Sequence, residues 1–409
     1  MEKRCYILAA LSPARPQTRS RITALNTRDH SEKQSNSSAP SIALCMIVRN
    51  EATHLRRCLE SVAGNVDRIC ITDTGSTDDT LAVAREFGAE TRTFPWINDF
   101  SAARNASLAN VAEDWNLILD ADDHFPPGEA ARLREVAAST DSPAIAFRYN
   151  IMPGHTPEPG LKLFRNGLDI RYEGLIHESI RNSLARFPSP AVLQTDIVLT
   201  HEGYADDVLD DKIQRNLPLL EAEYHRADRL GDRMQRLSVG VDLANAWIAG
   251  DRVEEGERQL RDLLDDMNSH GVPGDGRWEL APLVHLLWLL FEQNRSAEAA
   301  ALCASCDSLF AEHPVFPLYR GMANLRCGDF DSALRDFANF DRTVASGPLP
   351  ISIPTEYAGP ELWHMAGQCC LSLGRNHDAV DWFSRALAAA PGNPGYAVKL
   401  QLAQIRRAS

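Results

Sequence analysis

No stretch of this chain stays apolar for the roughly 20 residues that a bilayer-crossing helix needs, and positive charge is in short supply. Lys and Arg number 42 against 56 Asp and Glu, a formal net charge of -14 at pH 7. Proteins that neutralise nucleic-acid phosphates need the opposite balance, so the charge argues against general nucleic-acid binding and against attachment to an anionic membrane surface. The cysteines, 9 in all, are scattered. Cys303-Ala-Ser-Cys306 has no second pair and no neighbouring histidines, which points to packing within a helix rather than zinc. The first apolar strand is not followed by G-x-G-x-x-G, which disfavours a dinucleotide oxidoreductase, and no glycine-rich, lysine-bearing phosphate loop supports a nucleotidyltransferase. The N-terminus, Met1-Glu-Lys-Arg-Cys-Tyr-Ile-Leu-Ala-Ala-Leu11, is too short in its apolar part for a secretory signal and runs into Ser12-Pro13 and arginines. Residues 1–40 are expected to be a disordered, mildly basic extension, or the product of an over-called start codon, and the expected compartment is the cytoplasm.

What is present begins at Ser41. Two apolar strands, Ile42 to Val48 and Arg68 to Ile71, each run into polar residues and then an amphipathic helix. That alternation predicts a parallel sheet covered by helices. Ligands of such sheets bind beyond the carboxyl ends of the strands. Here those ends carry Asn50-Glu51, Asp73-Thr-Gly-Ser76 and, after Leu117-Ile-Leu119, Asp120-Ala-Asp-Asp123. Acidic clusters converging on one crevice predict a site for a metal and a nucleotide. Further on, Pro126 to Ser139 reads as a helix opened by prolines, while Ala144 to Met152, Leu161 to Arg165 and Ile197 to Thr200 read as strands.

From Lys212 helical periodicity takes over. Trp363, Gly367, Gly374, Ala379, Phe383, Ala386 and Pro391 follow the tetratricopeptide spacing, and Gly321, Gly328, Phe330, Ala333 and Phe337 repeat it one unit earlier. Weaker copies surround Ala249-Gly250-Asp251 and Gln293-Asn294-Arg295. Small Gly367 and Ala379 should let paired helices approach, with Trp363 and Phe383 filling the space between neighbouring pairs. Such repeats bury their apolar faces only against neighbours, so about three or four stacked pairs are expected. The repeats serve either as support and a dimerisation surface, making a homodimer, or as a concave surface for an acceptor.

Met46-Ile-Val-Arg-Asn-Glu51, Asp73-Thr-Gly-Ser-Thr-Asp78, Phe94-Pro-Trp-Ile-Asn-Asp-Phe-Ser-Ala-Ala-Arg-Asn105 and Leu119-Asp-Ala-Asp122 together resemble a family 2 glycosyltransferase. Leu163-Phe-Arg-Asn166, Tyr172-Glu-Gly-Leu-Ile-His-Glu178 and His201-Glu-Gly-Tyr204 continue the resemblance in order. More narrowly, it is to the bacterial branch with C-terminal tetratricopeptide repeats. It implies an α/β GT-A (nucleotide-diphospho-sugar transferase) domain over 41–211, followed by an all-α tetratricopeptide-like solenoid over 212–409. It also implies a nucleotide-sugar donor, most simply a uridine diphosphate sugar, a divalent cation (Mn2+ or Mg2+), inversion at the sugar, and a peptide, protein or glycan acceptor.

The resemblance also implies roles. Asp122 becomes the metal ligand and Asp120 lies near the ribose or a metal-bound water. His177 is a third metal ligand or a diphosphate contact, with His201 the competing candidate. Asp73 reads the nucleobase beside Ser76, and Asn50 and Glu51 lie against the nucleoside; an N-terminal helix cap with Thr74-Gly-Ser76 is the alternative for Asp73. Arg104 meets the phosphates or the base, and Asn105 points into the crevice. Glu178 is the first choice of catalytic base and Asp123 the second. Trp96 and Phe100 are expected to be core aromatics. The competing reading is a repeat scaffold with a catalytically inactive transferase domain that binds a protein partner; the intact Asp73, Arg104, Asp120 and Asp122 argue against it.

Overall fold

The computed structural model describes residues 39–202, 209–274 and 279–408. The expected N-terminal extension, up to residue 38, and Gly203-Tyr204 of the last motif lie outside the described residues. The chain forms two compact units, one holding the described residues up to 151 together with 159–223, the other holding 152–158 and residues from 224 onward.

In the first unit an eight-stranded mixed sheet has the order β3-β2-β1-β4-β7-β6-β8-β5. β1 (Ile42–Val48), β2 (Arg68–Asp73), β3 (Glu90–Thr93) and β4 (Trp115–Ile118) are mutually parallel. β7 (Glu158–Arg165) runs antiparallel to β4, and β6 (Ala144–Asn150) runs parallel to β8 (Val192–His201). The two-residue β5, Asp123–His124, pairs antiparallel with the end of β8, and its register sets Asp123 opposite His201.

The near-continuous apolar run of β1 follows from burial on both faces. Ile42, Leu44 and Met46 pack with Leu55, Leu59 and Val62 of helix Ala52–Val62. The alternate residues Ala43 and Cys45 join Cys70, Phe164 and Leu184 on the other face, as the two-residue period of a strand requires. Glu90-Thr-Arg-Thr93 is a polar strand at the sheet edge, and it carries no apolar signature to reveal it. The helix expected over Pro126 to Ser139 is shorter: a single 3-10 turn, Ala130–Arg132, leads into helix Leu133–Ala138. Gly128 adopts φ 87°, which breaks helical geometry immediately after the two prolines.

The second unit is built from consecutive helix pairs: Arg233–Ala249 with Val253–His270, Ala281–Glu292 with Ser296–Ser305, Phe316–Cys327 with Phe330–Ser346, and Pro360–Ser372 with Asn376–Ala389, then Pro394–Ala408. The short turn inside each pair holds one left-handed residue, namely Asp251, Asn294, Gly328 and Gly374; this conformation ends the first helix and frees the chain to reverse. A Cβ on Gly321 would lie 2.7 Å from the Phe337 ring, and one on Gly367 would lie 2.7 Å from Phe383. Phe383 therefore fills the space inside its pair. Trp363 reaches the preceding pair instead, donating from Nε1 to Asp341 at 2.7 Å. One continuous apolar core runs through these helices. Residues 152–158 join this unit by hydrogen bonds: Thr156 N–H donates to the Ile353 carbonyl at 2.8 Å, and Thr355 N–H to that of Gly154 at 2.7 Å.

Candidate active site

The parallel strands deliver their carboxyl ends to one edge, where two loops are laced together. Thr77 N–H donates to Asn50 Oδ1 at 2.7 Å, Asn50 N–H to Ser76 Oγ at 3.0 Å, and Glu51 N–H to Thr80 Oγ1 at 2.7 Å. Asn50 takes φ 56°, a left-handed geometry that asparagine tolerates. Asp73, buried at the end of β2, accepts from Gly75 N–H at 3.2 Å and from Ser76 N–H at 3.1 Å. These bonds close the loop, whereas the N-cap position of helix Thr80–Glu86 belongs to Asp79.

Beyond β4 the chain gathers charge of both signs. Asp120 Oδ1 accepts from Arg104 Nη2, and its Oδ2 lies 3.2 Å from Lys162 Nζ. Arg104, only 7% exposed, also donates from Nε to Glu178 Oε1 at 3.1 Å, and its Nη1 has no hydrogen-bond partner among the described residues. Burial works against the Asp120 charge, but Lys162 and Arg104 overcome it and hold this carboxyl far below the usual range. Asp123 is fully buried and its carboxylate is saturated. Oδ1 receives the Tyr149 hydroxyl at 2.6 Å and His201 Nδ1 at 3.0 Å, while Oδ2 receives Asp120 N–H at 2.9 Å and Lys162 Nζ at 2.8 Å. Lys162 also lies 4.6 Å above the Tyr149 ring.

Asp122 is half-buried, with Oδ1 3.3 Å from His201 Nδ1. Burial pushes its pKa up; His201 opposes this, while Asp120 and Asp123 add to it. Burial lowers the basicity of His201, but the hydrogen bond to Asp123 and the charge of Asp122 outweigh it and raise its pKa. Asp122, Asp123 and His201 each offer a donor atom within 4.8 Å of the others. Two carboxylates and an imidazole suit a divalent cation that accepts oxygen and nitrogen ligands.

Several expectations change. Of the expected ligands Asp122, Asp120 and His177, Asp122 clusters with Asp123 and with His201, the competing histidine, while Asp120 is engaged by Arg104 and Lys162. His177, at φ 53°, sits in a tight turn closed by paired backbone hydrogen bonds between Glu173 and Ser179, at 3.0 and 2.9 Å. Asn105 does not open into the crevice, because its amide donates to Tyr172 O and accepts from Tyr172 N–H, both at 2.9 Å. Asp123, with four donors on it, is poorly placed to take a further proton. Glu178, half-buried beside Arg104, keeps Oε2 outside the ion pair. Trp96 and Phe100 pack edge to face, their centroids 4.7 Å apart. Lys162 and Tyr149 went unnoticed in the sequence. The only clue was a lysine inside the apolar strand Leu161-Lys-Leu-Phe164, which is costly to bury unless paired.

The sequence pattern of Glycosyl transferase family 2 matches residues 43–189. The chain is 39% identical over 188 residues to a TPR repeat-containing protein of Synechococcus elongatus, a match covering 42% of this chain and 44% of that one. It is 28% identical over 286 residues to the SPbeta prophage-derived glycosyltransferase SunS of Bacillus subtilis, covering 68% and 64%. The chain therefore spans less than two thirds of the length of either relative. An uncharacterized glycosyltransferase of Rickettsia typhi is 30% identical over 218 residues, covering 53% of this chain and 70% of its own. Among solved structures, glucosyl-3-phosphoglycerate synthase from Mycobacterium tuberculosis with Mn2+, UDP-glucose and phosphoglyceric acid covers 43% of this chain and 79% of its own, at 17% identity and a TM-score of 0.35, a likeness too slight to argue from. Among the described residues no helix is long and apolar enough to cross a membrane.

Proposed function

Because the chain belongs to glycosyl transferase family 2, we propose that the site transfers a sugar from a nucleotide sugar, most simply a uridine diphosphate sugar, to a peptide, protein or glycan acceptor with inversion. The observation that carries this reading is the gathering of Asp122, Asp123 and His201 beside the Arg104–Asp120–Lys162 ion pairs. Asp122 and His201 would hold a divalent cation, Mn2+ or Mg2+, with Asp123 behind the imidazole. Such a cation supplies Lewis-acid stabilisation of the departing diphosphate.

This chain's own residues do the rest. Asn50, Glu51, Asp73 and Ser76 form the laced floor against which a nucleoside rests. Arg104 has one buried guanidinium nitrogen without a partner among the described residues, a donor suited to a phosphate oxygen. Glu178 is the base: its carboxylate takes the acceptor's proton as the acceptor atom bonds to the anomeric carbon. The bond from that carbon to the diphosphate oxygen breaks, and its electron pair leaves with the nucleoside diphosphate.

Residues 41–211 form the transfer domain in this reading. Residues 212–409 form a tetratricopeptide-like array, supported by the recurring left-handed turns and the glycine-on-phenylalanine contacts, and the array presents the acceptor. The test is release of uridine diphosphate from a panel of uridine diphosphate sugars with peptide and glycan acceptors. Glu178→Gln is expected to abolish transfer while retaining nucleotide binding; transfer at the wild-type rate would remove Glu178 from the base role.

A further inference from the structure

Lys162 and Tyr149 come from neighbouring strands of the sheet and meet on one carboxylate. Asp123 is 1% exposed, and an ionised group that deep persists only when each of its lone pairs finds a donor. Its Oδ2 is held by Lys162 Nζ at 2.8 Å and by the backbone of Asp120 at 2.9 Å. Its Oδ1 is held by the Tyr149 hydroxyl at 2.6 Å and faces His201 Nδ1 at 3.0 Å. Tyr149 is itself fixed from below: a Cβ on Gly160 would lie 2.7 Å from Tyr149 Cβ, so the glycine lets the strands close at that point. The carboxylate thus has one position and one orientation, and the imidazole beside it inherits both.

We propose that Lys162 and Tyr149 are positioning residues which clamp Asp123 and, through it and through the Tyr149 hydroxyl's own contact with His201 Nδ1 at 3.2 Å, hold the His201 ring beside Asp122, preassembling the donor atoms for the divalent cation. The inference rests on the metal reading above. Neither residue need touch the cation. Lys162 has a second task, since by bridging Asp120 at 3.2 Å and Asp123 at 2.8 Å it keeps two like charges together that would otherwise repel. Groups that orient a metal-ligating histidine typically contribute about 10- to 100-fold in metal affinity.

The experiment is a titration of the full chain with Mn2+, following free Mn2+ by electron paramagnetic resonance, for wild type, Asp122→Asn, Tyr149→Phe and Lys162→Met. Tyr149→Phe removes a single hydroxyl and keeps the ring, so it tests the clamp even if Lys162→Met fails to fold. Wild type should bind, Asp122→Asn should lose binding, and Tyr149→Phe should bind about 10- to 100-fold more weakly. Substituting Co2+ supplies a readout that a general loss of stability would not move: the visible bands of Tyr149→Phe should shift toward those of His201→Gln. Tyr149→Phe with wild-type affinity and an unshifted Co2+ spectrum would overturn the clamp while leaving the metal reading standing. A wild-type chain that binds no Mn2+ would overturn the metal reading, and the clamp with it.

Discussion

Replacing Arg104 by methionine removes the cation that faces both Asp120 and Glu178 while keeping a side chain of similar reach. Removing one partner of a buried ion pair costs about 3–5 kcal/mol, because the remaining charge is left uncompensated. One effect offsets this: Arg104 Nη1 is buried without a partner among the described residues, and relief of such an orphan returns about 1–3 kcal/mol. Lys162 also stays beside Asp120 at 3.2 Å, which favours the lower end of the cost. The net expectation is a loss of about 2 kcal/mol at neutral pH, or about 4–8 °C in melting temperature for a unit of this size. The pH dependence provides an internal check. Arg104 and Lys162 hold the Asp120 carboxyl below its unfolded-state value despite burial. The stability this contributes is present above the ordinary carboxylate range and is lost as pH falls through and below it. The gap between wild type and Arg104→Met should therefore be widest near pH 7 and narrow toward pH 3. Thermal melts of both proteins across that range measure it. Equal stability at pH 7, or a gap that does not change with pH, would refute the reasoning.

Two further outcomes follow from the helical unit. Gly367→Leu forces a side chain into the Phe383 ring and should destabilise the chain by about 2–3 kcal/mol by urea unfolding; a neutral result would mean that the pair can separate freely. Burial pushes the His285 imidazole down to about 4, so the folded chain binds fewer protons than the unfolded one between that value and the ordinary histidine range. Stability from this group should be complete above about pH 6.5 and fall by about 3 kcal/mol as pH drops to about 4; His285→Phe should remove that slope from the pH profile of unfolding.

How much of this was visible in the residues themselves depends on whether the signal was local. β1 and β2 were legible because burial on both faces makes a strand uniformly apolar. The carboxylates after Leu119 were legible because charge directly behind such a strand has no place in a packed core and must face a ligand or water. The helix pairs were legible because their glycines and aromatics recur at fixed intervals. β3 was not, since an edge strand of Glu, Thr and Arg resembles a loop. The choice between His177 and His201 stayed open because Asp123 and His201 are 78 positions apart in the chain and meet only through the antiparallel register of β5 with β8. Lys162 and Tyr149 were hidden for a related reason: each looks like an ordinary strand residue until the sheet order puts both against Asp123.

The most direct test of the central claim is the melting temperature of wild type and Asp122→Asn with uridine diphosphate, each with and without Mn2+. A ligand at about 100 times its dissociation constant adds roughly 2.7 kcal/mol to the native state, which should raise the midpoint by about 5–11 °C. The account predicts that rise for wild type only when nucleotide and Mn2+ are both present, and its disappearance in Asp122→Asn. An equal rise in Asp122→Asn, or one that is indifferent to Mn2+, would contradict the assignment of Asp122 to the metal.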